Sequence, residues 1–432
     1  MTTISAVVPK RSIGFLCGMS TIRLGANVVW VSYNSILLPT LVENVMTAGK
    51  GLAVGLIGFF GVLVGVTVSI LSGIISDHTS SKLGRRTPAL LIASLLVLPM
   101  VGLPSLFLSP ALRNALLPIA LPIITISYIG MQFFNNVQNG AWWPLLVDVV
   151  PENQRGTSSG IGGLFTMLGS ALGIVLITIL NQNKQTELAL WLIGGFLAVT
   201  GVVTVFTIRG KDSSALPSER ISVFKAMRDM FKVRTRVPVF FWLVLAVFFA
   251  FMGLNSLTFF ARYFFEAFFP TISPDAAFRT MGGISLLVTM ASALVTGVLS
   301  DKIGRRSLLL GSMFVCAFTT LCMGLFSNYI LFLIMAGIRA AATGPLMVVA
   351  PALASDLSPR DEAGQYMAYN NLSNGLSGAL SSLIFGVILV TLTKSTFVLL
   401  FIISAILFLA GGILFAIKVP QIKLDARSKG AK

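Results

Sequence analysis

The sequence predicts an all-α membrane protein with twelve transmembrane helices in two pseudo-symmetric six-helix bundles, and three observations carry that prediction. First, 55% of the 432 residues are hydrophobic and 11% are charged, whereas a soluble domain carries about 25% charged residues. Second, apolar windows recur from Ile13 almost to the C-terminus, each long enough for a hydrocarbon core that needs about 20 residues per helix. Third, a charged loop occurs twice between such windows, GIISDHTSSKLGRR at Gly73–Arg86 and GVLSDKIGRR at Gly297–Arg306. Apart from the insert His78, Thr79, Ser80 and Ser81, the copies match at Gly73/Gly297, Ser76/Ser300, Asp77/Asp301, Gly84/Gly304, Arg85/Arg305 and Arg86/Arg306. A second echo pairs Asp148/Asp356, Pro151/Pro359 and Gly156/Gly364 at one constant offset of 208 positions. Internal repeats of this kind are built into many transporter folds.

In order, the windows are 13–42, 51–76, 87–108, 115–147, 157–180, 187–208, 237–263, 278–300, 307–326, 328–355, 363–391 and 396–418. The first follows Lys10-Arg11, but it is too long for a signal peptide and has no small-residue cleavage site, so it reads as a retained helix. The fourth, tenth and eleventh exceed what a bilayer needs, which predicts tilts or kinks at Pro118, Pro122, Pro144, Pro345 and Pro351. The one long polar stretch, 209–236, holds Pro217 and eight basic residues. It divides the chain into an N-terminal bundle (1–208), a connector (209–236) and a C-terminal bundle (237–432). Within the connector, SVFKAMRDMFKV suits either a short amphipathic surface helix or a solvated tether.

The formal charge of +16 would suit nucleic acid, but its distribution follows membrane topology instead. With both termini inside, 23 of the 31 basic residues fall on cytoplasmic segments. Only Lys50, Arg113, Lys184, Arg262, Arg279 and Lys394 fall at the outer ends. This is the positive-inside bias, and it predicts a multi-pass cell-membrane protein with cytoplasmic termini, no nucleic-acid partner, and lipid and a small solute as its partners. A monomer is expected. Cys17, Cys316 and Cys322 sit in apolar windows and are odd in number, so neither a disulfide framework nor a zinc site is expected. No cofactor or metal is expected either. The sole histidine, His78, is in a loop and no carboxylate lies at mid-membrane, so the constellation an enzyme would need is missing.

The G-x-x-x-D…G-R-R string between helices two and three, and again between eight and nine, resembles the signature loop of the major facilitator superfamily. The longer first copy, SDHTSSKLGRRTP, is similar to the version in glycoside-cation symporters and sucrose transporters. LGANVVWVSYNSILLPTL in helix one and NNVQNGAWWPLLVDVVPENQRG in helix four resemble segments of the same group. The resemblance implies sugar or glycoside transport by alternating access around a midplane cavity lined by helices one, four, seven and ten. Alternatives are a sugar acid or other small organic anion, a multidrug exporter, and a non-transporting nutrient sensor. The sensor would be expected to carry a long cytoplasmic extension.

Asp77 ends helix two where it can face Arg85 or Arg86 and the positive N-terminal end of a neighbouring helix. A contact made only while the cytoplasmic ends are together would favour an outward-open state. The resemblance places the partner of Asp77 near Gly364 and that of Asp301 near Gly156. The candidate gating set is therefore Gly73, Asp77, Gly84, Arg85, Arg86, Asp148 and Arg155, with Gly297, Asp301, Gly304, Arg305, Arg306 and Asp356. The alternative is that these charges only fix topology.

Charges at mid-membrane depth are costly and functional by default. Arg23 and Arg339 lie eleven residues past Ser12 and Asn328, roughly 16 Å deep at 1.5 Å per residue. Helical spacing puts Arg23, Asn27, Trp30 and Asn34 on one stripe of helix one. Gln132, Asn135, Asn136, Asn139 and Trp143 share an arc of helix four, and Asn255 leads helix seven, followed by Thr258 and Arg262, with Glu266 as an expected i,i+4 partner. Amides exchange hydrogen bonds with hydroxyls and an indole stacks on a sugar ring, so this set suits a polyhydroxylated solute. Interhelical packing glue is the alternative. Two buried cations without buried anions would instead suit an anionic solute, bound bidentately. Proton or sodium coupling in the resembled group usually uses an intramembrane acid. Here the nearest candidates are Glu43, Asp148 and Glu266.

Overall fold

The computed structural model describes residues 10–77, 79, 81, 83–209, 237–358 and 363–420, and for some helix residues, Asp77 and Asp301 among them, the backbone alone. Among the described residues, twelve helices are long and apolar enough to cross a membrane. They are α1 (Ile13–Glu43), α2 (Lys50–Asp77), α3 (Thr87–Gly102), α4 (Ala120–Val149), α5 (Arg155–Gln182) and α6 (Thr186–Ile208). The second half supplies α7 (Pro238–Asn255), α8 (Pro274–Ile303), α9 (Arg305–Leu325), α10 (Tyr329–Leu357), α11 (Ala363–Ile388) and α12 (Lys394–Lys418). The fold is all-α, as the apolar windows predict. The predicted amphipathic stretch of the connector lies outside the described residues.

Local chemistry sets the helix ends. Ser12 accepts the Phe15 N–H at the start of α1, and Asn328 accepts the Ile330 and Leu331 N–H groups at the start of α10. Each cap satisfies donors that have no intrahelical partner. The depth reckoned for Arg23 and Arg339 therefore starts from real helix origins.

Three windows are interrupted, the fourth in chain order at Pro118, one of the predicted bends. In α1, Tyr33–Leu37 forms a π turn in which the Leu38 N–H reaches the Tyr33 carbonyl. Pro39 follows, and its ring crowds the carbonyl four residues back, so the helix widens ahead of it. Pro118 falls in a 3-10 turn, Leu117–Ile119, ahead of α4, whereas Pro144, Pro345 and Pro351 are carried inside α4 and α10. The seventh window splits. α7 stops at Asn255, whose Nδ2 donates to the Phe251 carbonyl at 2.9 Å, and a short helix, Ala261–Phe268, begins after a turn.

The described chain forms two compact units, the first drawn from Met1–Lys225, Ser256–Gly283 and Gly378–Phe397, the second from Ala226–Asn255, Ile284–Ser377 and Val398–Lys432. In the first, α1 packs on α5 and α6, α2 on α4, and α3 on α4 and α6. In the second, α9 packs on α10, and a core of Leu243, Val247, Met313, Leu346, Tyr366 and Phe408 joins α7, α9, α10, α11 and α12. The face of the helices opposite the repeated loops is called the distal face below.

A polar wall and paired loop networks

On α4 of the first unit, the predicted amide arc splits into a buried seam and an accessible surface. Asn34 and Gln132 are fully buried and already engaged. Tyr128 Oη donates to Asn34 Oδ1 at 2.6 Å, Gln132 Nε2 donates to Tyr128 Oη at 2.8 Å, and Asn34 Nδ2 donates to the Trp30 carbonyl. Tyr33 and Ser127 share a further 2.6 Å hydrogen bond beside them. Asn135 is also buried, with its Oδ1 unpartnered among the described residues, on the side of α4 where Gln138 reaches Ser94 of α3. These residues build the interior of the unit.

Arg23, Asn27, Asn136, Asn139 and Trp143 remain at least partly open. Arg23 Nη1 donates to Asn139 Oδ1 at 2.5 Å, and its guanidinium lies 5.2 Å from the ring centroids of both Trp142 and Trp143. The two indoles meet edge to face. Trp142 is fixed by its Nε1 bond to the Met19 carbonyl, 3.0 Å, and Trp143 is 52% exposed. Among the described residues, no carboxylate pairs with Arg23. Cation–π contacts and one amide therefore hold the charge in place, leaving guanidinium N–H groups available. Asn27 and Asn136 each donate Nδ2 to the carbonyl four residues earlier, 2.9 and 2.8 Å. Glycines of α2 seat the wall: a Cβ on Gly61 would lie 2.2 Å from Tyr128 and one on Gly65 2.5 Å from Asn136 Nδ2. Only glycine allows helices this close together.

The second unit holds the other predicted residues. Arg339 lies inside α10, where its Nη1 is buried without a hydrogen-bond partner among the described residues, and its carbonyl accepts from Thr343 and the Cys316 thiol. Asn255 ends α7. The expected pairing of Arg262 with Glu266 is not what the structure shows. Glu266 is exposed, and Arg262 Nε meets Glu43 Oε2 at 3.2 Å while its Nη1 meets Asp275 at 3.1 Å. The turn after Asn255 aims Arg262 toward acids at the ends of α1 and α8, and two partly buried carboxylates outcompete one hydrated one. Asp275 was not singled out in the sequence because it falls ahead of the apolar window 278–300, whereas it lies buried in the first turn of α8.

The repeated loops carry matching networks. Asp148 Oδ2 accepts from Arg85 Nη2 and from Arg86 Nε, each at 2.7 Å, and Arg86 Nη1 also reaches Ser76 Oγ. In the second copy Arg305 pairs with Asp356, the residue that repeats Asp148. Arg306 instead donates to the Val419 and Ala416 carbonyls, 2.8 Å each, at the end of α12. Gly84 and Gly304 sit at φ of +109° and +91°, a backbone region that side chains avoid, so the shared glycine has a geometric cause. Gly73 lies inside α2 near the Gly140 carbonyl, Gly297 inside α8, and Arg155 begins α5. The side chains of Asp77 and Asp301 lie outside the described residues, and around Gly364, in the first turn of α11, only the backbone is described. Of the coupling candidates, Glu43 and Asp148 are ion-paired.

Twelve membrane-length helices among the described residues and a duplicated charged loop define a multi-pass membrane protein. The sequence model of the Major Facilitator Superfamily matches residues 24–274 and again 255–432, and the chain belongs to that family. It is 26% identical over 215 residues to a general alpha-glucoside permease of Schizosaccharomyces pombe (strain 972 / ATCC 24843), a match covering 46% of this chain and 38% of the permease's length. A bacterial homologue of the human lysosomal transporter Spinster, solved inward-facing and unoccupied, superposes with a TM-score of 0.75 at 12% identity, covering 95% of this chain and 98% of that one. A D-xylose-proton symporter superposes with a TM-score of 0.71 at 16% identity, with the same coverage. At these identities the structural likeness concerns the fold.

Proposed function

We propose that this transporter carries a sugar or glycoside across the membrane by alternating access, and that Arg23, Asn27, Asn136, Asn139 and Trp143 touch the solute. The observation behind this reading is the accessible amide and indole surface around Arg23, about three turns into α1. The amide donors and acceptors left over from these internal bonds match hydroxyls, and an exposed indole face matches the apolar face of a pyranose. The partial similarity to an alpha-glucoside permease supports the same class of solute. A mainly apolar drug would leave these polar groups unpaired, which disfavours a multidrug exporter.

Thermal-shift and equilibrium binding of the purified protein in nanodiscs, with α-glucosides and sugar acids as probes, test the reading. Glycoside binding is expected, and Asn136→Ala or Trp143→Ala should weaken it by roughly tenfold, about 1.4 kcal/mol. Binding of neither solute class, or variants indistinguishable from the parent, removes it. The lack of a described carboxylate beside Arg23 favours a second reading, a sugar acid whose carboxylate completes the cage. Arg23→Gln then abolishes sugar-acid binding and leaves neutral glycosides bound. Imposed proton and sodium gradients in proteoliposomes separate proton coupling, sodium coupling and uniport.

A further inference from the structure

The distal face of the first unit carries a charged cluster that spans the two halves of the sequence. Glu43 ends α1 and Asn181 lies near the end of α5, both in the N-terminal half, whereas Arg262 and Asp275 belong to the C-terminal half. Two polar contacts cross between them: Arg262 Nε to Glu43 Oε2 at 3.2 Å, and Asn181 Nδ2 to Asp275 Oδ2 at 2.9 Å. Tyr263 Oη adds a 2.8 Å bond to the Pro39 carbonyl. The halves also meet backbone to backbone, since a Cβ on Gly55 would lie 2.5 Å from the Gly386 Cα. A cavity of about 760 Å³, lined by Asn44, Arg113, Asn181, Lys184, Arg262 and Asp275 among others, brings solvent to the network.

We infer that Arg262 is the hub of a latch that holds the distal face shut, and that its charges are paired so that it can part without stranding an ion. Each half keeps its own counterion. Arg262 retains Asp275, 13 positions away and 3.1 Å distant, and Glu43 retains Lys50 at 3.6 Å. Parting therefore breaks the Arg262–Glu43 ion pair and the hydrogen bonds made across the halves by Asn181, Tyr263 and Gln182, while both halves stay electrically neutral. A lone cation or carboxylate at that depth would be far costlier. Water in the adjoining cavity screens the crossing pair, which keeps the latch reversible.

The test is a distance measurement between spin labels on Ala111→Cys and Ser395→Cys, both exposed on the distal face of opposite halves, in a background lacking Cys17, Cys316 and Cys322. Glu43→Gln and Asn181→Ala remove crossing contacts and should raise the ratio of long to short distances by about two- to fivefold, the weight of a partly hydrated ion pair. Lys50→Gln removes the one counterion left to Glu43 after parting, so it should shift the ratio the other way. Unchanged distance distributions, or Lys50→Gln shifting in the same direction as Glu43→Gln, would overturn the inference. The readout is a distance rather than uptake, so it stands or fails independently of which solute is carried.

Discussion

Arg23 and Arg262 are both cations in a membrane protein, and their surroundings give them different work. Arg262 meets two acids and is structurally compensated. Arg23 meets two indoles and an amide, so its charge is tolerated yet still available. Lysine cannot reproduce the planar stack or the fork of donors. Arg23→Lys is therefore expected to weaken solute binding while leaving the melting temperature within a degree or two of the parent, as titration and thermal unfolding would reveal. Glycines separate by the same logic of local surroundings. Gly304, at φ +91°, resists any side chain, so Gly304→Ala should cost about 1–3 kcal/mol. Gly311, helical with nothing within 4 Å of a Cβ, should gain up to ~1 kcal/mol on replacement by Ala. Thermal melting of the two variants should move in opposite directions.

At the scale of elements, α2 shapes the wall that α4 presents. Gly61 makes room for Tyr128, which is locked between Asn34 and Gln132, and Gly65 makes room for the amide of Asn136. A methyl at Gly61 presses on a ring that cannot move, so Gly61→Ala should destabilise by about 1–3 kcal/mol. A methyl at Gly65 presses on an amide that can rotate, so Gly65→Ala should lower affinity more than stability. Comparing melting temperature with solute affinity for the two variants separates these outcomes. The helix breaks act at this scale too. The π turn before Pro39 and the interruption after Asn255 set the positions from which Pro39 and Tyr263 meet.

For the whole molecule, duplication preserved the loop ion pair but not its surroundings. Asp148 holds both Arg85 and Arg86, with Arg86 almost fully buried at 3% exposure, whereas the Arg305–Asp356 pair is about 30% exposed on each side. Removing the acid should therefore matter unequally. Asp148→Asn removes the carboxylate that both arginines share, beside a buried guanidinium, and should cost about 3 kcal/mol, while Asp356→Asn should cost under about 1 kcal/mol. Denaturation in detergent, followed by intrinsic fluorescence, should show the asymmetry.

Hydropathy fixed the number of helices and nearly all their limits, because in a bilayer only a closed helix satisfies the backbone and its length must match the apolar slab. The repeated loop was legible for a similar reason, since its glycine, acid and arginine pair sit close together in sequence. The caps at Ser12 and Asn328 are equally local, made through contacts only two or three residues away. What the tertiary structure alone decided is which face each polar residue presents and which distant charge it meets. Gln132 and Asn136 share one helical stripe, yet Gln132 is sealed under Tyr128 while Asn136 stays partly open. Arg262 passed over the acid four residues away for acids 219 and 13 positions distant. Helical periodicity assigns an angle around one axis. Depth of burial and choice of ion partner depend on where neighbouring axes lie, and those positions come from packing among helices far apart in the chain.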